Sequence, residues 1–465
     1  MTIEPTWMTA YDLAVLFRQG RLSPVDAVDA ALDQLERANP AINAFVTVTA
    51  HRARSQAIDA AKRLRAGEDL PPLFGIPITV KDLIDTDNVR TTYGSLAYTD
   101  NVPTSNHLSW DRLERAGAIM VGKTTTPEFG LLGTTESHLT GITNNPWDIR
   151  RTSGGSSGGA AAATAAGIAP LALGSDGGGS IRVPAALCGV VGFKPSVGRI
   201  PHADNADAST TDGPITRRVI DTALMLNATI GYDRRDRFSL PDTGEDYVTA
   251  AMSPTPLKGL RIAASPDLGI DGLDSGVATQ YYATLDRLRR AGAVVSEVGI
   301  ALPDPSEYFV SYWGPEYELL ASAMTSEGQQ LWPFIEDLAS RARGLSALDV
   351  SMAMRQVRTQ LYNSYMRVLA DHEFLVTPTT PTLAPTHEKV ASSTGADGAA
   401  AQLHRLTESP SHAGLPALTV PVGVSEGLPT GIQIIGQPHA DARVISFGAA
   451  VEQLIGHEFA RPPLQ

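Results

Sequence analysis

The chain has 465 residues, 43% of them hydrophobic, with 42 Gly, 32 Pro and a formal net charge of −13. That length buries a sizeable core, and the acidic balance argues against a nucleic-acid partner, which would want a basic face. A single cysteine, Cys188, excludes an intramolecular disulfide and fits a reducing compartment.

Taken in chain order, Met1–Pro5 shows no basic segment followed by an apolar one, so no secretory signal is expected. No apolar run reaches the ~18–20 residues that span a bilayer. The expectation is a cytoplasmic protein with no membrane partner, a monomer or homodimer. Ser23-Pro24-Val25-Asp26 supplies an N-cap, a proline at the first helical position and an acid in the first turn. Val25, Val28, Leu32 and Leu35 follow at helical spacing, and Asn39-Pro40 is predicted to stop the run. A second helix is predicted from about Thr49 to Ala66. Residues 1–70 thus read as a helical segment packing on an α/β core that spans 71–465, with the catalytic region at about 75–215.

In that core the pattern predicts a strand at Ile76–Val80, a helix around Leu108–Ala116 and a strand at Ala118–Val121. Next come a short helix at Ala160–Ala166, closed by Gly167, and a buried strand at Leu171–Leu173. Cys188 sits in the apolar run Pro184–Gly192 and reads as buried packing rather than a nucleophile. Asp233–Arg237 mixes charges of both signs and reads as a solvated loop. A strand at Leu260–Ala263, a helix from about Ser275 to Arg290 and a strand at Ala293–Val298 repeat the alternation. Late strands fall at Phe374–Val376 and Ile432–Ile435. Ser392–Ala401, small and glycine-bearing, reads as a mobile surface loop and a candidate lid. Alternation along the whole chain predicts a single large α/β domain with a wide mixed central β-sheet covered by helices on both faces.

Three patterns compete to carry the chemistry. Gly117-Ala-Ile-Met-Val-Gly122-Lys123-Thr124 fits a phosphate-cradling loop, but a helix precedes it and its variable residues are apolar. Gly154-Gly155-Ser156-Ser157-Gly158 fits a nucleophile elbow, yet Trp147–Ser153 upstream is polar and turn-like where an elbow needs a buried strand. An esterase of the α/β-hydrolase type using Ser156, with His412 or His439 as partner, is the reading this motif keeps open. The third constellation joins Lys81, at the end of the first core strand, to Ser156 and to Ser180 in Asp176-Gly177-Gly178-Gly179-Ser180. Glycine lets backbone N–H groups approach a reacting carbonyl. A hydroxyl there, with a desolvated amine in reach, is a nucleophile that needs no histidine, metal or cofactor. Such an amine must fall from ~10.4 to ~7, which burial can supply.

Gly154–Gly159, followed by Asp176-Gly-Gly-Gly-Ser-Ile-Arg182 and preceded by Gly75-Ile-Pro-Ile-Thr-Val-Lys81-Asp82, resembles the amidase signature family. Gly122-Lys-Thr124, Pro127–Gly130, Asn145–Trp147, Gly189–Pro195, Gly213-Pro214, Gly414–Ala417 and Gly427–Gly436 fit it in order and spacing. The resemblance implies Lys81 as base, Ser156 as a relay held by a cis peptide, and Ser180 as nucleophile. It also implies an oxyanion hole from the amides of Gly177, Gly178, Gly179 and Ser180, supported by Ser157, Asp176 and Arg182.

The chain departs from that pattern in three places. Position 177 is glycine where the family often carries a β-branched residue, Ser411 stands where asparagine is common, and residues 340–365 lack a run associated with the tRNA-dependent amidotransferases. The expected activity is therefore hydrolysis of small amides, anilides or carbamates. An amidotransferase-type glutaminase subunit is the alternative, and a non-enzymatic binding protein on the same scaffold also stays open. Phe129, Gly130, Gly141 and Thr143 are the expected pocket residues, and small residues at Gly141 and Ala399–Ala401 would leave room for a bulky group.

Overall fold

The computed structural model describes residues 4–203, 210–270, 272–326, 330–393, 398–456 and 461–464. Eleven strands form one central sheet: β1 (Phe45–Val48), β2 (Pro77–Lys81), β3 (Ile119–Thr124), β4 (Leu171–Asp176), β5 (Val191–Lys194), β6 (Thr211–Thr216), β7 (Arg261–Ala264), β8 (Val294–Glu297), β9 (Phe374–Pro378), β10 (Ala417–Ser425) and β11 (Leu428–Gly436). Their order across the sheet is β1-β3-β2-β4-β6-β5-β10-β11-β9-β7-β8. Pairing is mixed: β2 runs parallel to β3 and β4, whereas β6 is antiparallel to β4 and β10 to β11. The expected wide mixed sheet is present.

Alternation along each strand sends successive side chains to opposite faces. Ile262, Phe374 and Ile434 join one core cluster while Ala263, Leu375 and Ile435 join another, so both faces are covered by helices. On β2, Ile78 and Val80 pack with Leu13, Phe17 and Leu113 on one face. Thr79 and Lys81 therefore point to the other, toward the Gly158–Ala165 helix. The strand that carries the lysine also decides that it is buried.

The first 70 residues differ from expectation in two ways. They contribute β1, which pairs antiparallel with β3 and forms one sheet edge, so the segment is not purely helical. The Pro24–Ile42 helix also runs through Pro40. A proline there removes one donor within a turn of the end, and the terminus is closed by Asn43 in the left-handed region, its N–H donating to Asn39 O at 2.8 Å. The Asn39 side chain then accepts from the Ala44 amide at 2.8 Å. The polar Trp147–Ser153 stretch holds a strand, Asp148–Thr152, in a small hairpin outside the central sheet. The Ser392–Ala401 loop is flanked by helices His387–Ser392 and Ala399–Gln402, and residues 394–397 lie outside the described residues.

Candidate active site

Lys81 ends β2 with no solvent exposure, and its Nζ lies 2.6 Å from Ser156 Oγ and 3.0 Å from Ser175 Oγ. Burial pushes its ammonium down from 10.5 to about 7, although the charges of Asp176 and Asp212 pull the other way. An amine at that value is about half unprotonated at neutral pH, and that fraction can accept a proton. The peptide bond between Gly155 and Ser156 is cis. Packing explains why position 155 is glycine: a Cβ there would come within 2.6 Å of Thr134 O.

Ser157 ties the two serine loops together. Its amide donates to Ser180 O at 3.1 Å and its hydroxyl to Ser175 O at 3.3 Å. Beyond it, the Gly158–Ala165 helix is entirely buried, and its glycines and alanines let it lie close against the sheet.

The loop after β4 is shaped by Asp176. Arg182 grips this carboxylate with Nε and Nη2, each at 2.9 Å, and both side chains are wholly buried. Burial alone would raise the Asp176 carboxyl, but the Arg182 charge and hydrogen bonds, aided by Lys194, hold it below the usual carboxylate range. Asp176 also accepts from the Gly179 amide at 2.6 Å, the Ile181 amide at 3.2 Å and Ser411 Oγ at 3.2 Å. Gly178 O accepts from Thr407 Oγ1 at 2.8 Å and lies 3.0 Å from His404 Nδ1. The Gly178–Gly179 peptide is thus pinned at both ends. Position 179 needs glycine, since its φ is +132° and a Cβ would overlap Thr407 Oγ1. Because the Gly179 amide is spent on Asp176, the amides of Gly177, Gly178 and Ser180 are the candidate oxyanion donors.

Ser156, Ser175, Gly177, Gly178 and Ser180 open onto a cavity of about 1270 Å³. Its walls include the aromatic side chains of Phe129, Trp313, Tyr317, Trp332 and Phe334, with polar groups such as Glu136, Arg405 and Glu408 beside them. Of the four expected pocket residues, Phe129 and Gly130 line this cavity and Gly141 and Thr143 do not. The Asn43 side chain ties the 136–142 hairpin down through Thr140 O at 2.7 Å and Ile142 O at 3.0 Å, leaving Gly141 exposed. Thr143 is buried, 2.6 Å from Thr125 Oγ1 and donating to Asn43 O at 2.9 Å. Ala400 and Ala401 do line the cavity.

Sequence reasoning missed Ser175, the lysine's second neighbour; a polar residue inside the buried run of β4 was its signal. It also missed His404, Thr407 and the helix Pro305–Ser326 with its Trp313, for which no local motif exists.

The rival motifs resolve differently. Gly122, Lys123 and Thr124 belong to β3, with Lys123 Nζ donating to Ile84 O at 2.7 Å and Thr91 Oγ1 at 2.6 Å; this is a strand, not a phosphate loop. His412 is buried and stacked on Tyr312 at 3.8 Å, and burial pushes its imidazole well below the ordinary value. The group beside Ser156 Oγ is the Lys81 amine, at 2.6 Å. Cys188 is buried, and burial raises its thiol. Among the described residues, one group brings metal-ligating side chains together: His107, His202 and Asp212. Asp212 is already engaged there, 3.1 Å from His107 Nδ1 and accepting from Ser109 Oγ at 2.6 Å.

This arrangement can be set beside known proteins. The Amidase family model matches residues 26–445. The chain belongs to the amidase signature family, and it is an amide-hydrolysing enzyme. It is 37% identical to an acylamidase of Rhodococcus erythropolis, covering 96% of this chain and 95% of that one. It is equally 37% identical to a glutamyl-tRNA(Gln) amidotransferase subunit of Chloroflexus aurantiacus, covering 96% of each. Among solved structures, a bacterial aryl acylamidase of the amidase signature family superposes with a TM-score of 0.89 at 28% identity, covering 96% of each chain. Among the described residues, no helix of this amidase is long and apolar enough to cross a membrane.

Proposed function

We propose that this amidase hydrolyses small amides, anilides or carbamates through Lys81, Ser156 and Ser180 by way of an acyl-enzyme. The observation that carries the reading is the buried Lys81 Nζ, 2.6 Å from Ser156 Oγ and pushed down to about 7. Neutral Lys81 takes the Ser156 proton as Ser156 takes the Ser180 proton, and Ser180 Oγ attacks the substrate carbonyl carbon. The carbonyl oxygen gains negative charge and is met by the amides of Gly177, Gly178 and Ser180. Such donors are each worth on the order of 2.7–4 kcal/mol in a water-excluded site. The proton then returns through Ser156 to the departing group, the C–N bond breaks and the acyl group stays on Ser180. Water repeats the sequence and releases the acid.

A carbamate carbonyl presents the same electrophile, and the aromatic cavity favours substrates with a flat or bulky group. The amidotransferase relatives point to a second reading, in which the chain is the glutaminase component of a larger enzyme. Glutamine has a small, polar side chain, so the walls of Phe129, Trp313 and Phe334 favour the free-standing amidase instead.

A fluorophosphonate serine probe tests the assignment. It should label Ser180, and Ser180→Ala should lose both labelling and hydrolysis. Activity surviving in Ser180→Ala would sink the mechanism. A panel of primary amides, anilides and aryl carbamates should give the highest kcat/KM on the aryl members.

A further inference from the structure

The indole of Trp313 stands directly over the glycine loop that carries the candidate oxyanion donors. A Cβ on Gly177 would come within 2.7 Å of Trp313 Cη2 and 3.0 Å of Thr210 Oγ1. Position 177 has no left-handed φ that would call for glycine, so its bare backbone is explained by the ring above it. Trp313 is anchored as well. Its Nε1 donates to Glu408 Oε1 at 2.9 Å, and Tyr312 beside it is 5.0 Å away edge to face.

Glu408 is buried, and its side chain also lies close to where a Gly178 Cβ would be, at 3.6 Å. Burial raises its carboxyl to about 7, opposed by the Trp313 hydrogen bond. Gly177, Gly178, Trp313 and Glu408 all line the cavity that Ser156 and Ser180 open onto. An indole held at a buried polar anchor is a rigid apolar plate with few conformations to lose on binding.

Resting on the catalytic reading above, we propose that Trp313, seated by Glu408 and admitted by Gly177, is the specificity residue that selects a planar aromatic group next to the scissile carbonyl. An aryl ring on the substrate stacks on the indole or meets it edge to face, while a short alkyl chain leaves that face wet. Glu408 is a positioning residue: it acts through Trp313 and needs only to present an acceptor to Nε1.

The test compares kcat/KM on hexanamide, hexananilide and N-butylbenzamide. In Trp313→Ala, the ratio of at least one aromatic substrate to hexanamide should fall by about tenfold or more, mostly through KM. Which aromatic substrate responds shows whether the ring is on the nitrogen or the acyl side. Gly177→Ala keeps its backbone amide but displaces the ring, so it should lower the same ratio with Trp313 present. Glu408→Gln keeps an acceptor and should hold the ratio within about threefold, whereas Glu408→Leu should lower it.

Trp313→Leu, matched to wild type in melting temperature, replaces Trp313→Ala if the smaller side chain unfolds the wall. Equal losses on all three substrates, or an unchanged ratio in Trp313→Ala and Gly177→Ala, overturn the proposal. Probe labelling separates the two failures: a wild type labelled at Ser180 with an unmoved ratio defeats this inference alone, and a wild type not labelled at Ser180 defeats the catalytic reading.

Discussion

At the scale of single residues, the site concentrates groups whose ordinary ionisation has been overruled. Burial lowers Lys81 to about 7, while Arg182 keeps Asp176 ionised against the same burial. In the proposed mechanism one proton on Lys81 governs the base, so kcat/KM should rise about tenfold per pH unit below about 7 and level off above it. Lys81→Met should cut activity by at least about 10³-fold and erase that limb. The same shift has a stability consequence. The unfolded chain binds the lysine proton below 10.5 and the folded chain only below about 7, so this group's folding penalty grows as pH falls across that window. Lys81→Met should therefore melt higher than wild type at pH 7. The gain is on the order of 1–3 kcal/mol after the loss of the amine's buried hydrogen bonds to Ser156 and Ser175, and it shrinks toward pH 10. A lower melting temperature at pH 7 would mean the amine is not destabilising in the fold.

At the scale of elements, the central sheet and the small-residue helix packed on it are a matched pair. Gly159 is helical, and Ala would be favoured there by about 1 kcal/mol in an isolated helix. Here an added Cβ would overlap Thr125 Oγ1 and lie 2.6 Å from the Thr125 amide nitrogen. Gly159→Ala should thus destabilise the protein by about 1–3 kcal/mol in chemical denaturation and lower activity by shifting Ser156. Local patterns were legible at this scale: the helix Ser275–Arg290 has the bounds read from its spacing, and β2, β3, β4, β9 and β11 overlap the predicted strands. Where local reading failed, specific hydrogen bonds had overridden propensity. Pro40 stays helical because Asn39 and Asn43 close the turn around it, and β1 is a strand because β3 offers it a free edge.

At the scale of the whole molecule, the first 70 residues cannot be a detachable appendage. Leu13, Phe17, Val28, Leu32, Ile42 and Phe45 are all buried, spread over three core clusters that include β2, β3 and the Gly158–Ala165 helix. A chain of residues 71–465 expressed alone should lose its cooperative thermal transition and its activity; an active, cooperatively melting 71–465 would make the N-terminal segment a separate unit.

The sequence by itself carried the resemblance to the amidase signature family and the layered α/β alternation, and it singled out Lys81, Ser156 and Ser180 as candidates, because glycine-rich loops and strand ends leave a mark in local spacing. Only the tertiary structure decided that Thr407 holds the Gly178 carbonyl, that Gly141 and Thr143 face away from the cavity, and that Trp313 lies over Gly177. Those contacts join residues far apart in the chain, through side-chain packing and hydrogen bonds that no local pattern encodes.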